Sequence, residues 1–255
     1  MQDAAAGMVA NNGAMRSYAE LYRYGLYLDN TGRTESGLEL WTTAAARAGG
    51  VPELASTQAS MLAQGALDRA LMENCRVAME LVNSVKGMPK GPVASFNAGM
   101  AAALCGDQAY AEEVTTALQQ SFPQSTAVAQ YYVPELQAAA QIGVNEPEKA
   151  LGSLIALEEY DQISLTPYLR GMANAALGQM PAAILDFQMV LDHRGVALTL
   201  GSNTYPMAEV GVARAQVANR DKKDGAAAYQ RFLMLWQEAD QGQPLTGEAL
   251  AKSKS

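Results

Sequence analysis

The chain has 255 residues, with 18 Lys and Arg against 26 Asp and Glu, so its formal net charge is −8. Phosphate binding needs clustered cations, and only Lys222 and Lys223 stand side by side before the tail, so no nucleic-acid partner is expected. No apolar run approaches the roughly 18 residues that a spanning helix needs, so no membrane insertion by this segment is expected.

In chain order, residues 1–14 lack the basic flank and apolar run of a signal peptide. They read as a disordered or appended N-terminus. Residues 15–240 read as six helical hairpins, aligned on the slot that ends each first helix. That slot holds Gly32, Gly65, Gly106, Asn145, Gly178 and Arg220. Gly and Asn dominate it because a helix C-terminus commonly needs a left-handed residue.

Five residues further on stand Gly37, Ala70, Ala111, Ala150, Ala183 and Gly225, all small, as required where two helices cross closely. Four beyond lie Trp41, Asn74, Thr115, Leu154, Phe187 and Tyr229, four of them large plugs. Seven residues before the slot stand Gly25, Gln58, Gly99, Ala138, Gly171 and Ala213, where only Gln58 departs from smallness.

Successive slots are 33 residues apart at the first step and 42 at the last. The stretches 84–92 (SVKGMPKGP) and 195–206 (GVALTLGSNTYP) read as loops between units. Residues 241–255 read as a short capping helix with a frayed tail.

The clearest unit is 165–193, LTPYLRGMANAALGQMPAAILDFQMVLDH, which resembles the tetratricopeptide (TPR) repeat, whose period is about 34 residues. The expected fold is therefore all-α: a right-handed TPR-like α-solenoid of about six helix–turn–helix repeats with a C-terminal cap. The phrases FQMVLDHRGV and AYQRFLMLWQEAD carry a narrower resemblance over residues 90–250, weaker over 15–90. They look like the C-terminal TPR region of acidobacterial-type bacterial serine/threonine protein kinases, a region also found behind winged-helix regulators. That resemblance implies a sensing or partner-binding role in a signalling protein, in the bacterial cytoplasm or on the extracytoplasmic side of a membrane-anchored parent. A stand-alone scaffold or adaptor for envelope complexes is the alternative.

No HRD, DFG or glycine-rich nucleotide loop is present to carry kinase activity onto this chain, so it reads as non-catalytic. His193, the single histidine, stands at a predicted helix end, where it meets the helix dipole or caps a carbonyl. With one histidine and two separated cysteines, no metal or cofactor site is expected. Glu112–Glu113 and Glu158–Glu159 are neighbours in sequence, which on a helix point about 100° apart and do not converge on one substrate atom. Cys75 and Cys105 fall on successive helices of an antiparallel pair, where a bridge is geometrically conceivable. The expectation is two reduced thiols buried among the helices.

The candidate working surface is the concave groove lined by the first helices. One inward slot holds Tyr22, Ala55, Phe96, Glu135, Tyr168 and Val210. Another, four residues along, holds Leu26, Ala59, Met100, Ala139, Met172 and Arg214. Chaperone-binding TPR domains put Lys and Asn in these slots to clamp a carboxylate. Here the candidates Tyr22, Leu26, Phe96, Met100, Tyr168 and Met172, with Arg214, suit a protein or peptide partner with apolar anchors instead. The competing expectation is that these side chains pack between helices.

Overall fold

The computed structural model describes residues 15–161, 165–195 and 202–254. The expectation for residues 1–14 lies outside them, and of the loop at 195–206 only the ends are described.

The described residues form thirteen α-helices and no strand. The first hairpin pairs α1 (Met15–Asn30) with α2 (Thr34–Gly49), and the second α3 (Ala55–Leu71) with α4 (Cys75–Val85). The third pairs α5 (Pro92–Leu104) with α6 (Gln108–Ser121), and the fourth α7 (Val133–Gly143) with α8 (Pro147–Ile155). A π-helical turn, Val128–Tyr132, leads into α7. The fifth pairs α9 (Thr166–Ala176) with α10 (Met180–Asp192), the sixth α11 (Thr204–Ala218) with α12 (Lys222–Leu235), and α13 (Pro244–Lys252) follows. First helices of consecutive hairpins lie side by side, and each second helix packs on its own first helix. This is the all-α solenoid the sequence implies.

Six residues, one per hairpin, take positive φ at the turn: Gly32, Glu73, Gly106, Asn145, Gly178 and Arg220. After each, the next backbone N–H reaches back to a carbonyl five residues earlier, as from Asn74 to Arg69 and from Asp107 to Ala102. This is the helix-ending pattern that satisfies orphan carbonyls. Asn74, Asp107 and Asp221 then cap the following helices through their side chains.

The second hairpin corrects the register read from sequence. Gly65 is not its turn but lies inside α3, and Glu73 turns the chain at φ 62°. The signal was Gln58, the one large residue in a row of small ones. With Glu73 as the turn, that row holds Ala66, the crossing residue becomes Ala78 and the plug Val82, all buried. Gly65 is small for another reason. A Cβ there would lie 3.1 Å from the Trp41 ring, and one at Gly25 would lie 2.5 Å from its other side. Phe187 is held the same way, between Gly171 and Gly211. Trp41 and Phe187 thus each fill the gap between their own first helix and the next, which the paired glycines leave wide enough for an aromatic ring.

The register also decides the cysteines. Cys75 begins α4 and Cys105 follows α5, beside the turns of neighbouring hairpins, with Cα atoms 5.4 Å apart and the sulfurs joined in a disulfide. The expectation of two reduced thiols is corrected: the eight-residue misregister had placed Cys75 in the middle of a helix, away from Cys105.

The array does not end open. Arg33 of the first turn pairs with Glu238 at 3.5 Å, and Trp236 and Ala239 pack on Gly32. The Asp240 backbone N–H donates to the Gly32 carbonyl at 3.1 Å. On the inner side Asn30 donates to the Ser202 carbonyl, and Asn203 to that of Asp68. The sixth hairpin therefore closes against the first two. The concave face is a set of enclosed contacts, with short stretches of free surface between them.

Candidate functional site

The first helices put the seven candidate residues in three environments. Met100 is 0% exposed and Phe96 6%, the latter stacked on Tyr132 at 4.4 Å between centroids. Both are packing residues between helices. Tyr22 is half-buried, edge-on to Trp41, and donates its hydroxyl to Gln64 Oε1 at 2.5 Å. Leu26 lines a separate cleft with Tyr27, Asn30 and Tyr205, where α1 meets the start of α11.

The remaining three, Tyr168, Met172 and Arg214, come together. They line one cavity of about 320 Å³ between α9 and α11. Its wall is built from Met172 on α9, Met180 at the start of α10, Met207 and Val210 on α11, and Leu71 at the end of α3. Leu245 of α13 closes one side. This volume is at the small end of the roughly 300–1,000 Å³ of ligand pockets. Three unbranched, polarizable thioethers let such a wall adapt to differently shaped apolar guests.

The rim is ionic. Arg214 donates through Nε and Nη2 to Glu248 at 2.8 and 2.7 Å, and its other nitrogen contacts go to Glu73 of the second hairpin. Glu248 also accepts from the Tyr229 hydroxyl at 2.6 Å. The hydrogen bond from Arg214 holds the Glu248 carboxyl below its usual range, and the two carboxylates hold the Arg214 guanidinium charged. Burial pushes the Tyr168 phenol up, reinforced by the charge of Glu73, so it remains a neutral hydroxyl.

Two further polar clusters lie between helices. Asp29 accepts from Arg69 Nη1 at 2.8 Å and from the Trp41 indole at 2.7 Å. Beside it lies Asp68, bonded by Gln64, which also takes Asn97 and Tyr22. Burial, then the neighbouring Asp29 charge, raises the Asp68 carboxyl well above the usual range. A proton on the buried Asp68 Oδ2, which has no other partner, would face Asp29. In the second cluster Arg170 bridges Asp161 and Asp186, and Asn174 also donates to Asp186. Both clusters hold helices together.

Nucleophilic or acid–base machinery is not assembled at the cavity: its lining offers a buried phenol, thioethers and the ion-paired Arg214 and Glu73. His193 contacts the Met189 carbonyl at 2.9 Å, at the end of α10. No group of three or more His, Cys, Asp or Glu suited to a metal occurs among the described residues. Nor is any described helix long and apolar enough to cross a membrane. What the arrangement can do is bind an apolar group beside charge.

Glu73, Leu71, Met180 and Met207 are cavity residues that the slot alignment missed, as is Glu248, which reaches the rim through Arg214. Glu73 and Leu71 were hidden by the misregistered second hairpin, for which Gln58 was the available signal. Met180 and Met207 lie outside the inward slots, and Glu248 arrives on α13.

No protein-family model and no curated protein matches the chain. Among solved structures it is similar to a tetratricopeptide repeat protein from Parabacteroides merdae ATCC 43184, at 14% identity and a TM-score of 0.57. The alignment covers 98% of this chain and 89% of that one. The likeness spans every hairpin described above, and the fold is TPR-like.

Proposed function

We propose that this chain is a non-catalytic protein-interaction module that holds a partner segment at the cavity shared by Tyr168, Met172 and Arg214. The observation that carries this reading is the methionine-walled cavity itself. It is an apolar recess with a polar rim, formed where two first helices of the solenoid part, and no chemistry is built around it. A partner side chain entering it would be desolvated on several sides, the setting in which single anchors dominate affinity.

The test is a pull-down or peptide-array screen with the full chain, repeated with Met172→Ala and with Ala175→Phe, which fills the recess. Loss of the captured partner in both variants, with unchanged thermal melting, supports the cavity. A partner indifferent to both variants but lost on changes to the outer helices removes it.

The sequence resemblance over residues 90–250 supports reading the module as part of a bacterial signalling protein, with a serine/threonine kinase as its parent. The gene sequence immediately upstream tests this through the presence or absence of a kinase domain. A second reading, an envelope scaffold or adaptor, draws support from the Cys75–Cys105 disulfide, because such bonds persist in oxidising compartments. The disulfide supports an extracytoplasmic position under either reading. Thiol alkylation of protein taken directly from cells tests that position: free, labelled cysteines would exclude it.

A further inference from the structure

We infer that the partner segment is basic: an apolar anchor for the cavity with a Lys or Arg close beside it in sequence. This rests on the cavity being the working site, and it adds the chemistry of what enters. The inward slots alone carry few charges and would bind with little salt dependence. The fold changes this by bringing Glu73 from the second hairpin and Glu248 from α13 to the rim around Arg214.

The rim sets one guanidinium between two carboxylates, and Lys252 on α13 also acts on Glu248, which leaves Glu73 as the carboxylate open to a further cation. Arg214 is already taken up on both sides, and Glu248 spends a further lone pair on Tyr229. With Nε and Nη2 of Arg214 bonded to Glu248 and Nη1 already on Glu73, a ligand carboxylate would have to compete with two resident ones, which disfavours acidic peptides, free C-termini and fatty acids. Glu73 is different. Its side chain is 61% exposed, on a turn residue that projects from the array. It can take a second cation from solvent while still touching Arg214. The whole chain, at −8, attracts the same sign of partner.

Methionines set a loose requirement on the anchor, so charge supplies the orientation: apolar side chain inward, ammonium or guanidinium over Glu73. A small cationic amphiphile shares part of this chemistry, but a peptide also has backbone to lie along the rim.

The experiment pans a random peptide library against the full chain and measures the enriched peptides by fluorescence anisotropy. Enriched peptides are expected to carry a large apolar residue within a few positions of Lys or Arg. Met172→Ala should abolish their binding. Glu73→Gln should weaken it about two- to fivefold, the range of a partly exposed ion pair. Because Glu73→Gln also disturbs the Arg214 contact, affinity of the unaltered chain is measured against sodium chloride in parallel and should fall as salt rises.

Acidic or charge-neutral peptides that need Met172, or affinity indifferent both to salt and to Glu73→Gln, would overturn this inference and leave the cavity reading standing. Peptides indifferent to Met172→Ala, or an empty selection, would overturn both.

Discussion

Asp240 caps a helix that begins more than two hundred residues before it. Its Oδ2 accepts the backbone N–H of Glu35 at 2.7 Å and the Thr34 hydroxyl at 3.3 Å, so the last loop of the chain satisfies the first turn of α2. Arg33, which precedes α2, makes no capping bond with its side chain, so the acceptor comes from the far end of the array. This contact, with Trp236 on Gly32, is where the solenoid shuts.

Asp240→Ala should therefore destabilise the chain as loss of an N-terminal cap does, by about 0.5–2 kcal/mol. Urea unfolding followed by circular dichroism measures it. An unchanged midpoint would mean that the closure contributes nothing to stability.

Stability should fall as pH rises, through Asp68. An unfolded aspartate titrates near 3.9, whereas in the fold burial and the Asp29 charge raise Asp68 well above that. The folded state thus binds the extra proton between those two values. Its stabilising contribution is complete below the unfolded value and is lost as pH climbs through the folded one. Glu248 works in the opposite sense: its carboxyl is lowered by Arg214, so its contribution is lost only as pH falls through that lowered value. Asp68→Asn keeps a donor toward Asp29 without a titrating proton. Denaturant melts between pH 5 and 8 should show a shallower slope in this variant than in the parent, and equal slopes would refute the assignment.

Reducing the disulfide should lower stability by about 3–4 kcal/mol in the chain-entropy picture, given the 30 residues between Cys75 and Cys105. The bond staples the turns of the second and third hairpins. Thermal melting with and without reductant checks this. A Cys75→Ser variant should match the reduced parent, since both leave the chain without the cross-link.

Two glycines separate packing from backbone strain. A Cβ at Gly211 would lie 2.8 Å from the Phe187 ring, which Gly171 already confines from the other side at 2.7 Å. Gly211→Ala should cost about 1–3 kcal/mol as overpacking. Gly178 has open space around its missing Cβ but a φ of 74°. There Gly178→Val should cost about 1–2 kcal/mol through the left-handed backbone alone. The double variant Gly211→Ala with Phe187→Leu should recover part of the first loss, while no partner change should recover the second.

Most of the helical grammar was legible from residues alone, because it is local. Glycine or asparagine ending a helix, a small residue at the crossing and an aromatic plug nine residues past the turn are each dictated by backbone and packing within one hairpin. Legibility failed at one turn with an unusual residue, although Arg220 was placed correctly. Glu73 turns with positive φ although glutamate rarely does, and Gly65, eight residues earlier, offered a more conventional signal. All seven candidate site residues lie on first helices, which the periodicity could show. It could not say that Met100 and Phe96 would be spent on packing while Tyr168, Met172 and Arg214 lined a cavity.

The sequence by itself determined an all-α array of six hairpins and the small and large positions that let them stack. Only the tertiary structure decided that the array closes, that Cys75 meets Cys105, and that Arg214 of the sixth hairpin lies between Glu73 and Glu248. The reason is cumulative geometry. Each repeat turns slightly on the last, and the sum of those small rotations sets which distant side chains meet. A one-hairpin error in register hides that sum from the sequence, whereas in the folded chain it is simply the distance between Arg214 and Glu73.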